Sequence, residues 1–252
     1  MAESTIVRRF GAAAATYDTG ANVQRAVARD LLALCPQHAS CILEIGCGTG
    51  NYTHLLCEAF PHARITATDV SADMIHLASA KLGNDRVRFF IADAHSYPAS
   101  TYDLITANAV LHWLPDLDDS LARFSESLHP GGSLVFSYFG RETYRELRSA
   151  LTKALATDIF LASDSFAMSA DLARMLKRHY RMVEAQTVEY LEEFASLRDL
   201  MANIRASGTQ GAGASPKIAW TPGLLKRVEQ QYLENFGTIT ATYQVTLCRV
   251  GQ

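Results

Sequence analysis

A short apolar run that ends in three alternate glycines and opens directly into a helical pattern constrains this chain more than any other feature. Cys41-Ile42-Leu43-Glu44-Ile45 is followed by Gly46-Cys47-Gly48-Thr49-Gly50, and helical spacing begins at Asn51. An apolar run of this length ending at glycine reads as a buried strand. Glycines at the turn let the backbone come close to a ligand. The unpaired N–H groups at the helix start that follows favour anionic groups such as a carboxylate or a phosphate.

The alternation continues downstream. The spacing predicts strands at 64–68, 87–92, 102–107 and 133–138, and helices at 51–60, 72–82 and 114–128. Leu55, Leu56, Ala59 and Phe60 form the expected apolar side of the first helix; Leu117, Leu121, Phe124 and Leu128 form that of the third. His129-Pro130-Gly131-Gly132 reads as a strong stop. Strands alternating with helices imply an α/β fold, a parallel sheet with helices on both faces.

Ahead of this core lie two predicted helices, 6–15 and 22–35, with Val23, Val27, Leu31 and Leu34 on one face of the second. Tyr17-Asp18-Thr19-Gly20 breaks the pattern between them, and Pro36 stops the second. The last third predicts helices at 142–156, 170–179, 197–204 and 223–236, and strands at 181–191 and 240–250. Residues 191–239 therefore interrupt a terminal strand pair, and 207–216 within them is expected to be the most flexible stretch. The chain reads as one domain, 1–252. Its parts are an N-terminal helical lid at 1–36, a cofactor core at 40–190, a helical insertion at 191–239 that completes the lid, and a closing strand at 240–252.

Composition narrows the function. The 252 residues carry 23 basic and 26 acidic side chains, a net charge of -3, which disfavours a generally basic nucleic-acid binder. No run of ~18 apolar residues predicts a membrane span. The first ten residues lack the order of a secretory signal, so a cytoplasmic protein is expected. The five cysteines are odd in number and include no Cys-x-x-Cys pair, so free thiols and no metal site are expected.

Asp69 closes the second strand, where a carboxylate can accept hydrogen bonds from both hydroxyls of a ribose. Two cofactors compete for this arrangement. The dinucleotide pattern Gly-x-Gly-x-x-Gly fails because its third glycine falls on Asn51. Gly-x-Gly-x-Gly preceded by the acidic Glu44 suits S-adenosylmethionine, which has no pyrophosphate to cradle. Asp93-Ala94 after the third strand and Pro130-Gly131-Gly132 before the fifth strengthen that choice.

With these motifs, residues 40–140 resemble the class I S-adenosylmethionine-dependent methyltransferases. The resemblance implies a Rossmann-like seven-stranded sheet whose last strand is antiparallel. It implies that Gly46, Gly48 and Gly50 line the methionine part of the cofactor and that Asp69 holds the ribose. Val70 and Met74 would flank the adenine, Asp93 would bond its amino group, and Asn108 would sit beside the methionine. Met74 has an alternative as a core helix residue. The outer segments are Phe10-Gly11, Thr16-Tyr17-Asp18 and Gln24-Arg25; Asn108-Ala109-Val110-Leu111-His112-Trp113; Ser137-Tyr138-Phe139-Gly140 with Leu147-Arg148; Asn203-Ile204-Arg205-Ala206-Ser207-Gly208; and Thr242-Tyr243-Gln244-Val245. In this order they are similar to the malonyl-acyl carrier protein O-methyltransferases of biotin synthesis. That family often has Gly-Ala after a Lys or Arg in the insertion, where this chain has Arg205-Ala206-Ser207-Gly208.

The resemblance implies methyl transfer to a malonyl carboxylate, with S-adenosylhomocysteine as product. Such a carboxylate needs no general base but does need a cation. Arg145 and Arg148, three apart on one helix, and Arg205 are the candidates, with Arg148 on the family's Leu-Arg position. Tyr17 is a candidate lid residue. His112 could hydrogen-bond substrate, although a lone His beside Trp113 more often packs; His54 and His95 lie in no pattern. The partner would be an acidic carrier protein with a phosphopantetheine arm, met by a basic patch. Arg174, Lys177, Arg178 and Arg181, or Arg8 and Arg9, or Lys226 and Arg227, could supply it. A monomer, no membrane and no nucleic acid are expected. The competing functions are methylation of another small carboxylic acid such as an aconitate-like substrate, a non-catalytic S-adenosylmethionine-binding regulator and, more distantly, a nicotinamide oxidoreductase.

Overall fold

A computed structural model describes residues 5–83, 85–209 and 217–252. Residues 210–216, most of the run expected to be flexible, lie outside the described residues. The first strand, β1 (Cys41–Ile45), is buried at all but its first residue. It pairs in parallel with β2 (Arg64–Asp69) on one side and β4 (Tyr102–Ala107) on the other. The third strand, β3 (Val87–Ile91), joins β2, and β5 (Leu128–Phe139) joins β4, both in parallel. With β6 (Met182–Phe194) and β7 (Ile239–Gly251), the full order is β3-β2-β1-β4-β5-β7-β6 in one seven-stranded mixed sheet.

The direction of β7 can be read from its neighbours. Gly132 of β5 packs on Gly251, whereas the Gly140 N–H just past β5 donates to the Gln244 carbonyl at 2.8 Å. Likewise the Arg181 N–H bonds to the Gly251 carbonyl, while Thr187 bonds to Thr246. Ascending numbers on one strand meet descending numbers on the other, so β7 is the antiparallel closing strand the sequence predicts.

The helices are α1 (Thr5–Ala13), α2 (Tyr17–Gly20), α3 (Asn22–Ala33), α4 (Asn51–Ala59), α5 (Ala72–Leu82), α6 (Leu117–Ser127), α7 (Arg145–Leu155), α8 (Ser169–His179), α9 (Leu197–Ala206) and α10 (Pro222–Phe236). Four local readings change. The expected break at Tyr17-Asp18-Thr19-Gly20 is a single helical turn, α2. Its Gly20 leaves no room for a side chain, because the Asn203 carbonyl and Ser207 nitrogen would lie 3.0 Å from a Cβ there. The helix expected from residue 114 starts at Leu117, since the Asp116 side chain caps it and a separate turn covers Leu111–Trp113. Of the apolar side expected for α4, Leu56 and the following Phe60 are buried, but Leu55 is half-buried and Ala59 exposed, and Tyr52 and Thr53 complete the buried face. His129-Pro130-Gly131-Gly132 ends α6 but lies inside β5: the register jumps from Tyr102↔Leu128 to Leu104↔Ser133, leaving these residues as a bulge.

The chain divides into two compact units. One contains Gln24–Tyr138, Ala167–Thr187 and Thr246–Gln252; the other contains Met1–Val23, Phe139–Phe166 and Val188–Val245. The second unit shares residues 1–23 and 191–239 with the expected lid and also holds Phe139–Phe166, which includes α7, together with 188–190 and 240–245, while most of α3 falls in the first unit. Val27 and Leu31 of α3 are wholly buried. The second unit is held internally by Glu146 of α7, a carboxylate only 6% exposed that accepts from the Thr242 N–H at 3.1 Å and hydroxyl at 2.5 Å. No helix among the described residues is long and apolar enough to cross a membrane.

Candidate active site

In the first unit the strand order reverses between β1 and β4, the place where open parallel sheets bind ligands beyond the carboxyl ends of their strands. Gly46, Gly48 and Gly50 follow β1 and Asn108 follows β4 at this point, Asp69 closes the neighbouring β2, Asp93 and Ala94 follow β3 beyond it, and Met74 lies in α5. Gly46, Gly48 and Gly50 all take positive φ, 68°, 54° and 85°. Gly46 has a second reason to be glycine: a Cβ would meet a methyl of Val110 at 2.3 Å. Gly50 caps α4 in the left-handed conformation, so this helix start has no side chain across it.

Asp69, at the end of β2, is tied to the loop. Its Oδ2 accepts from the Gly48 N–H at 3.0 Å, and its Oδ1 from the Ser71 N–H at 2.9 Å. Burial pushes its carboxyl above the ordinary range, against the lowering by these backbone donors. The glycine loop and the ribose candidate thus form one unit before any ligand arrives. Val70 beside it is 41% exposed, whereas Met74 is 1% exposed and belongs to the core. Asp93 is exposed in the turn after β3, with Ala94 buried beneath it.

Glu44 is buried on β1, and its Oε2 accepts from the Thr53 hydroxyl at 2.6 Å. Burial pushes its carboxyl up to about 8, eased by Thr53 and reinforced by the Asp69 charge. A folded value above the unfolded one stabilises the fold fully at low pH and ceases to do so as pH rises through the folded value. Stability of the ligand-free protein is therefore expected to fall between about pH 4.5 and 8 through this group, and Glu44→Gln should flatten that slope in urea titrations. An unchanged slope in Glu44→Gln would show that Glu44 stays ionised. The Cys47 thiol, also pushed up by burial, is no nucleophile here.

Asn108 follows β4. Its amide donates to the Gln24 carbonyl at 3.0 Å and its oxygen accepts from the Ser137 hydroxyl at 2.9 Å. Ser137 also accepts from the Ala109 N–H at 2.7 Å, holding Ala109 at φ 58°, a conformation L residues rarely adopt. This strained turn carries Val110 against Gly46. His112 is 7% exposed, with Trp113 at 4.9 Å and Tyr138 at 5.8 Å between ring centroids. Burial pulls its imidazole down to about 3, so it is neutral at physiological pH and brings no charge to a carboxylate.

The substrate candidates Tyr17, Arg145, Arg148 and Arg205 lie in the second unit. Tyr17 is half-buried at the start of α2. Arg145 grips Glu189 with both guanidinium nitrogens at 2.5 and 3.0 Å and reaches Glu146 at 3.2 Å. Arg148 bonds Asp164 at 2.5 Å, Glu142 at 3.3 Å and the Arg141 carbonyl at 3.2 Å. Arg205 is exposed, donates to the Met201 carbonyl at 3.2 Å, and forms no ion pair with a described residue. In the first of the three candidate basic patches, Arg174 pairs with Asp171, and Arg178 with Asp118 at 2.9 Å. The roles of Thr53, Val110 and Ser137 escaped the sequence reading because each acts on a predicted residue through the fold, whereas that of Ser71, two residues from Asp69, is a local turn that Asp69-Val70-Ser71 could have signalled.

Comparison with known proteins agrees with this geometry. A family model for a methyltransferase domain matches residues 43–134. The solved YcgJ protein of Bacillus subtilis superposes with a TM-score of 0.60 at 14% identity, over 89% of this chain and 99% of that one, a likeness of fold. The malonyl-acyl-carrier-protein O-methyltransferase 2 of Ilyobacter polytropus is 32% identical over 91% of this chain and 89% of its own length. The malonyl-acyl-carrier-protein O-methyltransferase of Anoxybacillus flavithermus is 34% identical over 94% of this chain and 92% of its own. A glycine loop clamped to an acidic strand end in a seven-stranded sheet, together with sequence identity of 32–34% to such relatives over more than nine-tenths of the chain, places the chain in the malonyl-acyl-carrier-protein O-methyltransferase family.

Proposed function

We propose that the protein transfers a methyl group from S-adenosylmethionine to the free carboxylate of malonyl-acyl carrier protein, forming the methyl ester that primes pimeloyl assembly in biotin synthesis. The observation that carries the cofactor is the bond from the Gly48 N–H to Asp69. A loop whose own anion-binding N–H is occupied by a carboxylate suits a ligand with a ribose and a net positive charge better than a pyrophosphate. Gly46 lets the loop backbone lie directly against Val110, and this loop is proposed to line the methionine part. When bound, S-adenosylmethionine supplies an electrophilic methyl group and leaves as S-adenosylhomocysteine. The near full-length similarity to enzymes named for malonyl-acyl carrier protein supports the acceptor.

The residues present need do no proton chemistry on the acceptor, since a carboxylate is ionised at neutral pH. Their work is to orient it and exclude water. Neutral, buried His112 can donate or accept one hydrogen bond but cannot serve as a cation. Of the three arginines, Arg145 and Arg148 already hold carboxylates, so a substrate would have to compete for them. Arg205 has no such partner among the described residues, and one oxygen held by a single guanidinium leaves the other free to attack. Tyr17 is proposed to orient the same group. Lys177 and Arg181, the members of the basic cluster that form no ion pair with a described residue, are proposed to meet the acidic carrier.

The test is incubation with labelled S-adenosylmethionine and malonyl-acyl carrier protein, malonyl-coenzyme A or free dicarboxylates. Label on the malonyl thioester is expected, and label on free dicarboxylates alone would overturn the acceptor. Loss of one charge-assisted hydrogen bond is worth about 1.5–3 kcal/mol, so Arg205→Ala should lower malonyl kcat/KM about 10- to 100-fold. Arg148→Ala should impair malonyl transfer too, with a loss of thermal stability that Arg205→Ala does not share. Wild-type malonyl kinetics in either variant would remove that residue from the site.

A further inference from the structure

We propose that His95 is a positioning residue for the nucleobase, with its main chain holding the Asp93 carboxylate and its ring fastening that turn to α6. The inference rests on the reading of Asp93 as the acceptor of the adenine amino group. The His95 N–H donates to Asp93 Oδ1 at 2.8 Å, and the Asp93 N–H donates to the Ser96 hydroxyl at 3.1 Å. These bonds close the turn on itself but do not attach it to the fold. The His95 ring does. Its Nε2 lies 2.8 Å from the hydroxyl oxygen of Ser120, which is wholly buried in α6.

The proton positions follow from the neighbours. The Ser120 hydroxyl donates its single proton to the Asp116 carbonyl at 2.8 Å. Its oxygen can therefore only accept, so Nε2 carries the proton. Asp119 Oδ2, 3.5 Å from the same Nε2 and held by Arg123 at 2.8 Å, favours that arrangement. One residue thus joins an exposed recognition carboxylate to a buried hydroxyl of α6. Without it, ordering the turn would be charged against ligand binding.

The test uses calorimetric binding of S-adenosylhomocysteine and its 6-oxo analogue S-inosylhomocysteine to the full chain. Wild type should prefer the adenosyl ligand, because the 6-oxo group offers Asp93 no donor. His95→Ala should weaken the adenosyl ligand about tenfold, which is ~1.4 kcal/mol, and leave the inosyl ligand nearly unchanged. Ser120→Ala should do the same, and His95→Gln, whose amide can reach Ser120, should restore part of the preference. In turnover, His95→Ala should raise the KM for S-adenosylmethionine with kcat spared. A preference as strong in His95→Ala as in wild type, or equal weakening of both ligands, would overturn the proposal. Failure of the Asp93 reading looks different: Asp93→Ala would then keep the wild-type preference.

Discussion

Asp69→Ala is expected to weaken S-adenosylmethionine binding by at least about 100-fold. A carboxylate that accepts from two ribose hydroxyls makes two charge-assisted hydrogen bonds, each worth about 1.5–3 kcal/mol. The variant should also lose stability, because the Gly48 and Ser71 N–H groups would lose the acceptor they share. Asp69→Asn separates the two effects. Its amide oxygen can still take one N–H, so stability should recover in part, while its NH2 faces two ribose donors and binding should stay weak. Titration calorimetry with thermal unfolding on the same samples checks both. Wild-type affinity in Asp69→Asn would mean that this residue builds the loop but does not hold the ribose.

Gly46→Ala is the second large effect. Placing an L residue at φ 68° costs roughly 1–2 kcal/mol. The added carbon also meets Val110 at 2.3 Å, and overpacking of that kind costs about 1–3 kcal/mol more. At about 2–4 °C per kcal/mol for a chain of this size, the unfolding midpoint should drop roughly 5–20 °C. Cofactor affinity should fall about 10- to 100-fold, since the backbone must move away from the ligand. Gly131→Ala is the control, because Gly131 has φ 83° but open space around it and should show the conformational cost alone. Val110→Ala combined with Gly46→Ala should recover the steric share. A double variant as unstable as Gly46→Ala would rule out the Val110 collision.

Most of the geometry of the candidate cofactor half was legible in the chain. Alternating apolar runs and helical stripes marked the first five strands, and punctuation by glycine marked the loop whose three positive φ angles the structure shows. The acidic residues at strand ends could be placed because a parallel sheet brings consecutive strand ends to one edge. Local signals failed where neighbours overrode them. Tyr17-Asp18-Thr19-Gly20 has turn chemistry, yet forms a helical turn packed on Asn203 and Ser207. Pro130-Gly131-Gly132 reads as a stop, yet the strand resumes through it because β4 pairs on either side.

The substrate half was not legible in the same way. Nothing near Arg145 in the chain announces Glu189, 44 positions away, and nothing near Glu146 announces Thr242, 96 positions away. Nor does the sequence around His95 point to Ser120, on which its proposed role depends. The charge states follow the same division. Glu44 and His112 look like an ordinary carboxylate and an ordinary imidazole, and burial, for Glu44 with the Asp69 charge beside it, moves the first up to about 8 and the second down to about 3. Periodicity, glycine φ and strand ends act over a few residues and survive in a linear string. Ion pairing and desolvation depend on which distant groups the fold brings within a few ångströms, and on how much water it leaves between them.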